Sequence, residues 1–371
     1  MKITKVTARP VGKRLDTPIR WGAMSVSTKG SILVEVETDE GITGVGEAGF
    51  SAEYFRTVGP IVNDLLGPMI IGEDPLDLGR LWRKMFESTH MWGRRGVETY
   101  ALSGVDIALW DLLGKVADLP VYRLLGAEKT SVRAYLAPSL KPVEEILPEC
   151  VQAVEEGFTA IKLRIGGDAV AARHLVAEVR NAVGDDVELG VDANMAYDRR
   201  TALAIARELE ELGVVFFEEP IMTHSLSQYV ADHSWLGERI SMKLAGGESL
   251  MTRFEYIEIC QLRVFDIVQP DATGVGGISE AKRVADIVTT WNLDCIPHIA
   301  CSSGTSIGLA AGLQVILACD APLIEYDAYR GIGWEGFVNQ PPDLKDGWVH
   351  ASDAPGLGIE LAEGAKERFA L

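Results

Sequence analysis

The spacing of hydrophobic and polar positions changes along the chain, and the change divides it. Near the N-terminus Ser31-Ile32-Leu33-Val34-Glu35-Val36-Glu37-Thr38 alternates at period two, as a strand with one buried face does. Asp39-Glu40-Gly41 turns the chain, and Ile42-Thr43-Gly44-Val45-Gly46-Glu47 returns, which predicts an antiparallel meander. Helical spacing follows over 77–89 and 97–117. In the second stretch Ala101, Leu102, Val105, Ile107, Ala108, Leu109, Leu112 and Leu113 cover most of the helix surface, so that helix should be buried. Strands followed by helices predict an α+β domain over 1–127.

From about residue 131 short β-rich runs alternate with amphipathic helices. Strands are expected at 131–137, 160–165, 188–192, 214–218, 242–246, 265–269, 294–297 and 323–326. Helices lie between them, for example over 169–182, 201–212 and 279–290. Eight such units fit a (β/α)8 barrel. A doubly wound open sheet is the alternative, but no GxGxxG follows the first of these strands. The alternation stops after Glu325. The tail, 345–371, holds a strand-like Gly347-Trp348-Val349-His350 and a turn-rich Asp353-Ala354-Pro355-Gly356-Leu357-Gly358, and is expected to return to the N-terminal meander. The pattern therefore predicts the α/β class: a (β/α)8 TIM barrel over 128–344 beside the separate α+β domain.

Charge narrows the partners. The 35 Lys and Arg against 54 Asp and Glu leave a net charge of −19, which repels nucleic-acid backbones. No apolar run approaches the ~20 residues of a membrane span, so no membrane partner is expected. Met1-Lys2-Ile3-Thr4-Lys5-Val6 alternates like a strand and lacks a signal peptide's apolar core. The five cysteines share no CxxC spacing, which fits reduced thiols in a cytoplasmic protein. Large barrel enzymes often assemble symmetrically, so a homo-oligomer is expected.

In a barrel the chemistry sits at the C-terminal ends of the strands. Those ends give, in order, Lys162 and Arg164, Asp192 and Asn194, Glu218 and Glu219, Glu248, Asp271, His298 and Glu325. Asp192, Glu218 and Glu248 come from neighbouring strands and have the character of a hard-cation site, for which Mg²⁺ is the natural occupant. Without HExxH or clustered cysteines, Zn²⁺ is disfavoured. Glu219 rivals Glu218, since only one of two successive strand residues points inward. Lys162 and Arg164 face the same way, and each should disfavour the other's charge, lowering the lysine pKa and freeing it as a base. Asp271 and His298 end adjacent strands, within reach of a carboxylate–imidazole hydrogen bond that would fix the tautomer. Ser302-Ser303-Gly304 lacks the context of a nucleophile elbow. The run Asp271-Ala272-Thr273-Gly274-Val275-Gly276-Gly277 could cradle phosphate but more simply makes a tight βα turn.

Taken together, this constellation resembles the enolase superfamily, and within it the mandelate racemase-like subgroup. The resemblance rests on Ser103-Gly104-Val105-Asp106-Ile107-Ala108-Leu109-Trp110-Asp111, Val191-Asp192-Ala193-Asn194, Phe217-Glu218-Glu219-Pro220, Gly246-Gly247-Glu248-Ser249, Gln269-Pro270-Asp271, Pro297-His298 and Pro355-Gly356-Leu357-Gly358-Ile359. It implies a modified (β/α)8 TIM barrel under an α+β capping domain built from the N-terminal portion and the tail, Mg²⁺ on Asp192, Glu218 and Glu248, removal of a proton α to a carboxylate, and a Glu325 that hydrogen-bonds the substrate carboxylate or enediolate. Muconate-lactonising members carry a lysine on strand six; Asp271 beside His298 is similar instead to the racemase-type pair. The family's usual Lys-x-Lys motif has Arg164 in second place, and arginine is a poor base.

The expected activity is that of an acid-sugar (aldonate or aldarate) dehydratase, with a small-molecule carboxylate or lactone as partner. His298 would be the principal base or acid, with Lys162 on the opposite face or polarising the carboxylate. An epimerase, racemase or sugar-lactone cycloisomerase is the alternative. The tail and Leu15-Asp16-Thr17-Pro18 are similar to galactarolactone cycloisomerase-type members. A non-catalytic metal-binding protein is the remaining possibility. Asn194, Arg20 and Trp21 are candidate substrate contacts, and the loops at 20–27 and 49–54 are expected to set specificity.

Overall fold

The computed structural model describes residues 1–21, 24–49, 55–299, 304–327 and 335–371. The N-terminal meander is three antiparallel strands, β1 (Ile3–Trp21), β2 (Met24–Thr38) and β3 (Thr43–Ala48), in that order. Helices α1 (Leu78–Thr89) and α2 (Val97–Ala117) follow. The apolar residues of α2 that crowd most of its surface are buried, because β2 and β3 cover one side and the barrel another. Gly44 and Gly46 allow that approach: a Cβ on either would collide with the backbone of Ala108 or Gly104.

The barrel strands are β4 (Ser131–Ala137), β5 (Ala160–Arg164), β6 (Glu188–Asp192), β7 (Val214–Glu218), β8 (Lys243–Gly246), β9 (Ile267–Val268), β10 (Asp294–Cys295) and β11 (Ile324–Asp327). They pair in parallel from β4 through to β10, and β11 pairs β4 on its other edge. The intervening helices are α3 (Val143–Glu155), α4 (Ala169–Val183), α5 (Arg199–Glu211), α6 (Leu226–Gly237), α7 (Thr252–Gln261), α8 (Ile278–Thr290) and α9 (Ser306–Ala318). This is the expected α/β barrel with its capping domain. Strands β9 and β10 are shorter than their apolar runs suggest. Pro270 and Pro297 lack the N–H that a longer ladder would need.

Inside the barrel, Tyr135, Ala160, Phe216, Ala245, Ile267, Ile296 and Leu323 form an apolar floor. Gly190 is bare because the Phe216 ring occupies the space its Cβ would take. The strand register then sets Arg164 beside Asp192 and Asp192 beside Glu218, so the charged layer lies one step above the floor.

The tail departs from expectation at its start. Its hairpin, β12 (Asp343–Lys345) and β13 (Trp348–His350), pairs antiparallel with the barrel strand β4 rather than with the meander. The hairpin takes residues 131–133 at the start of β4, while β11 pairs 134–137 of the same strand. Further on, the Leu357 N–H donates to Asp111 on α2 at 2.9 Å, and Gly12 on β1 donates to the Phe369 carbonyl at 2.8 Å. Among the described residues no helix is long and apolar enough to cross a membrane.

Candidate active site

The charged layer is almost wholly out of solvent. Lys162, Asp192, Glu218, Glu219 and Glu325 are each at most 1% exposed, and Arg164 is 6% exposed. Ions so buried must be paired to be tolerated. The Lys162 ammonium lies 2.8 Å from Glu218 Oε1, 3.2 Å from Glu325 Oε1 and 3.8 Å from Asp192 Oδ2. Arg164 Nη2 lies 3.5 Å from the same Glu325 oxygen, and its Nε 3.9 Å from Asp192 Oδ2. Gln269 donates to Glu218 Oε2 at 2.8 Å, and the Tyr135 hydroxyl to Glu325 Oε2 at 3.3 Å.

This geometry corrects the expectation for Lys162. Burial does oppose its charge, but Glu218, Glu325 and Asp192 outweigh both burial and the neighbouring Arg164. The ammonium is held well above the ordinary lysine value, so in this arrangement Lys162 is a cation rather than a free base.

Across the Glu325 carboxylate stands the second group. The His298 Nδ1–H donates to Asp271 Oδ2 at 2.8 Å, while Nε2 lies 3.2 Å from Glu248 Oε2 and 3.9 Å from Glu325 Oε2. Asp271 is itself oriented: the Thr273 N–H and hydroxyl both donate to its Oδ1 at 2.7 Å. Burial alone would lower the His298 pKa, but Glu248, Asp271 and Glu325 push it up to about 10. The His298 and Glu248 side chains are the more accessible part, at 16% and 24% exposure.

The two adjacent glutamates part company. Glu218 points into the charged layer. Glu219, at a left-handed φ of 35°, turns aside to accept from the Tyr229 hydroxyl at 2.7 Å and the Gly247 N–H at 3.3 Å. Its other oxygen is buried with no hydrogen-bond partner. Burial and Glu248 raise its pKa to about 8.

An all-oxygen set on neighbouring strands suits a hard divalent cation. The electrostatics point the same way: burial and the charges of Glu218 and Glu248 raise Asp192 to about 7, the mark of a carboxylate group short of positive charge. As placed, no three His, Cys, Asp or Glu side chains among the described residues stand close enough to hold an ion. Lys162 and Gln269 occupy Glu218, and His298 Nε2 faces Glu248, so these carboxylates would have to turn toward an incoming cation.

Asn194 sits at the same mouth, its N–H 2.8 Å from Asp192 Oδ1 and its own Oδ1 buried with no hydrogen-bond partner. The side chains of Arg20 and Trp21 lie outside the described residues, as do 22–23, 50–54 and Ser302-Ser303. The glycine-rich run after Asp271 is filled by protein: a Cβ on Gly277 would collide with the Asp106 carboxylate. Sequence reading assigned no role to Gln269, Tyr135 or Thr273. Gln269 and Tyr135 were signalled as polar residues on barrel strands or their ends, but Thr273 carried no signal of its own.

Comparison with known proteins gives the family. Residues 3–126 match the N-terminal domain of mandelate racemase / muconate lactonizing enzymes, and 145–365 match the enolase C-terminal domain-like family. The chain is 34% identical to the arabinonate dehydratase of Saccharolobus solfataricus, covering 91% of this chain and 90% of that one. It is 33% identical to the D-galactarolactone cycloisomerase of Agrobacterium fabrum, covering 100% and 99%. The L-talarate/galactarate dehydratase of Salmonella typhimurium LT2, solved with Mg and L-lyxarohydroxamate, superposes with a TM-score of 0.87 at 28% identity, covering 100% and 93%. With a buried carboxylate–lysine layer facing an Asp–His pair in a capped barrel, and matches over nearly its whole length, this chain belongs to the mandelate racemase-like subgroup of the enolase superfamily.

Proposed function

We propose that this protein is a Mg²⁺-dependent acid-sugar dehydratase. It removes the proton α to a carboxylate and expels the β-hydroxyl, giving a 2-keto-3-deoxy acid. The observation that carries the reading is the Asp271–His298 bond, which leaves Nε2 facing the charged layer across Glu325. The similarity to arabinonate and talarate/galactarate dehydratases supports the substrate class.

Asp192, Glu218 and Glu248 would hold the metal. When bound, Mg²⁺ supplies Lewis-acid stabilisation of the charge that develops on the substrate carboxylate. The chain's own residues do the rest. Asp271 accepts from Nδ1, so Nε2 is the nitrogen that takes or gives a proton. Arg164 and Lys162 bind and polarise the carboxylate from the opposite side. Glu325 and Asn194 hydrogen-bond it, and Arg20 and Trp21 are further candidate substrate contacts. On the same reading the enzyme works in the cytoplasm as a homo-oligomer.

The second reading is a sugar-lactone cycloisomerase, favoured by the end-to-end match to the Agrobacterium enzyme. One screen separates them. Mono- and diacid sugars and their lactones are incubated with Mg²⁺ in D2O. Formation of a 2-keto acid, loss of lactone and α-deuterium incorporation are followed together. A 2-keto product supports the dehydratase. Lactone loss without it supports the cycloisomerase, and neither 2-keto product, lactone loss nor α-exchange with any compound defeats both.

A further inference from the structure

We infer that the end of the capping strand β3, Glu47-Ala48-Gly49, is a positioning element for the Asp271–His298 pair, bonding from outside the barrel the chain that follows each member. The inference deepens the functional reading above and rests on it for the role of the pair.

On the histidine side, the segment after β10 is tied to the barrel by the Ile296 N–H, 3.1 Å from the Val268 carbonyl. It is tied again where α9 begins. There the Thr305 N–H donates to both Glu47 carboxylate oxygens, at 3.1 and 3.2 Å, and the Thr305 hydroxyl bonds Glu47 as well. The Gly308 N–H adds a bond of 3.0 Å. Thr305 caps Ile307 with its own side chain. The first turn of α9 therefore has its orphan donors met partly by itself and partly by an acid from another domain. The fit is close, since a Cβ on Gly308 would stand 2.9 Å from Glu47 Oε1.

On the aspartate side, the Gly49 N–H donates to the Thr273 carbonyl at 2.9 Å. A Cβ on Gly49 would collide with the Thr273 hydroxyl, so only glycine permits the contact. That hydroxyl and the Thr273 N–H are the two donors that occupy Asp271 Oδ1 and leave Oδ2 to His298. Glu47 is 1% exposed, and the Ser31 hydroxyl on β2 donates to the Ala48 carbonyl at 3.1 Å, so the strand end is tied to β2 as well. One short strand end thus sets the distance between the two loops whose side chains form the pair.

The test is the Nδ1–H proton of His298 in protein labelled with ¹⁵N-histidine, identified among the six histidines by its loss in His298→Asn. Glu47→Gln and Gly49→Ala should shift or broaden that resonance without any substrate present. Thr273→Val, which removes only the hydroxyl donor, should move it in the same direction and serves if either of the others fails to fold. Asp232→Asn is the control, a buried acid on α6 that pairs with Arg199 on α5; it should lower Tm and leave the resonance in place. With an active acid sugar, Glu47→Gln should lower kcat by about 10- to 100-fold at a KM within about threefold, as a small misplacement of a reacting group does. An unmoved resonance in every folded variant overturns the inference. A moved resonance in a protein that turns over no acid sugar supports the positioning and instead defeats the functional reading.

Discussion

The two halves of the site are held by different means. Lys162, Arg164, Asp192 and Glu218 stand on β5, β6 and β7, strands of five residues each that pair along their length. Asp271 and His298 follow β9 and β10, strands of two residues each. The first half is fixed by the barrel's own ladder. The second is braced by the capping domain: Glu47 and Gly49 from β3, and from α2 Ser103, which accepts from the Gly276 N–H at 2.9 Å, and Asp106, which accepts from the Ser279 N–H at 2.9 Å. The difference teaches that the capping domain takes part in holding the site. It supplies side-chain acceptors and one backbone donor to the loops and helix starts that follow the two short strands.

The largest effect should come from the braced half. His298→Asn should lower turnover of an acid sugar by about 10²- to 10⁴-fold, the usual contribution of a general acid or base. Mg²⁺ affinity by calorimetry should change little. If α-deuterium exchange survives while 2-keto product does not form, His298 serves as the acid for the leaving hydroxyl and another group abstracts the proton.

In the ladder half, Lys162→Met removes the shared counter-ion of Glu218 and Glu325. Stability should fall by about 3–5 kcal/mol, the cost of stranding buried charge. Saturating Mg²⁺ should recover part of that loss. Equal Tm deficits with and without Mg²⁺ would count against a metal on these carboxylates. Asp192→Asn should then weaken Mg²⁺ binding by about 10- to 100-fold, at least what losing an outer-shell partner costs, and lower activity with it. Unchanged affinity would remove Asp192 from the ligand set.

The smallest effect concerns the brace. Burial raises both Glu47 and Asp106 to about 7, with Arg283 opposing and Glu280 adding to the shift at Asp106. A carboxyl whose pKa rises on folding holds its proton better when folded. The stability it contributes is therefore complete below about pH 4, its unfolded value, and is lost as pH rises through about 7. Glu47→Gln and Asp106→Asn should each flatten the wild-type decline over that window by about 1–2 kcal/mol, read from urea midpoints at several pH values. A slope unchanged in both variants would assign the decline to other groups.

Much of this was legible in the chain. Period-two and period-3.6 patterning locates the barrel strands and the helices it names within a few residues, because burial on one face leaves a local imprint, while β1 and β2 run well beyond their alternating stretches. The acids and bases at successive strand ends were legible too, because in a parallel barrel every strand end reaches one mouth. Their charge states were not. Lys162 reads in sequence as the neighbour of Arg164, whereas three carboxylates from β6, β7 and β11 decide its protonation. Such sums depend on distances through space that no local pattern records. The bracing of the Asp271–His298 pair was equally hidden. Ser103-Gly104-Val105-Asp106 and Glu47 look like family motif and strand end. Only when β3 and α2 pack on the barrel do Glu47, Ser103 and Asp106 meet the backbone N–H groups of the loops and helix starts after strands six and seven. The sequence determined which elements form and which side chains reach the mouth. Tertiary structure decided which charges meet and what holds them, because partners distant in the chain become neighbours only after the chain has folded.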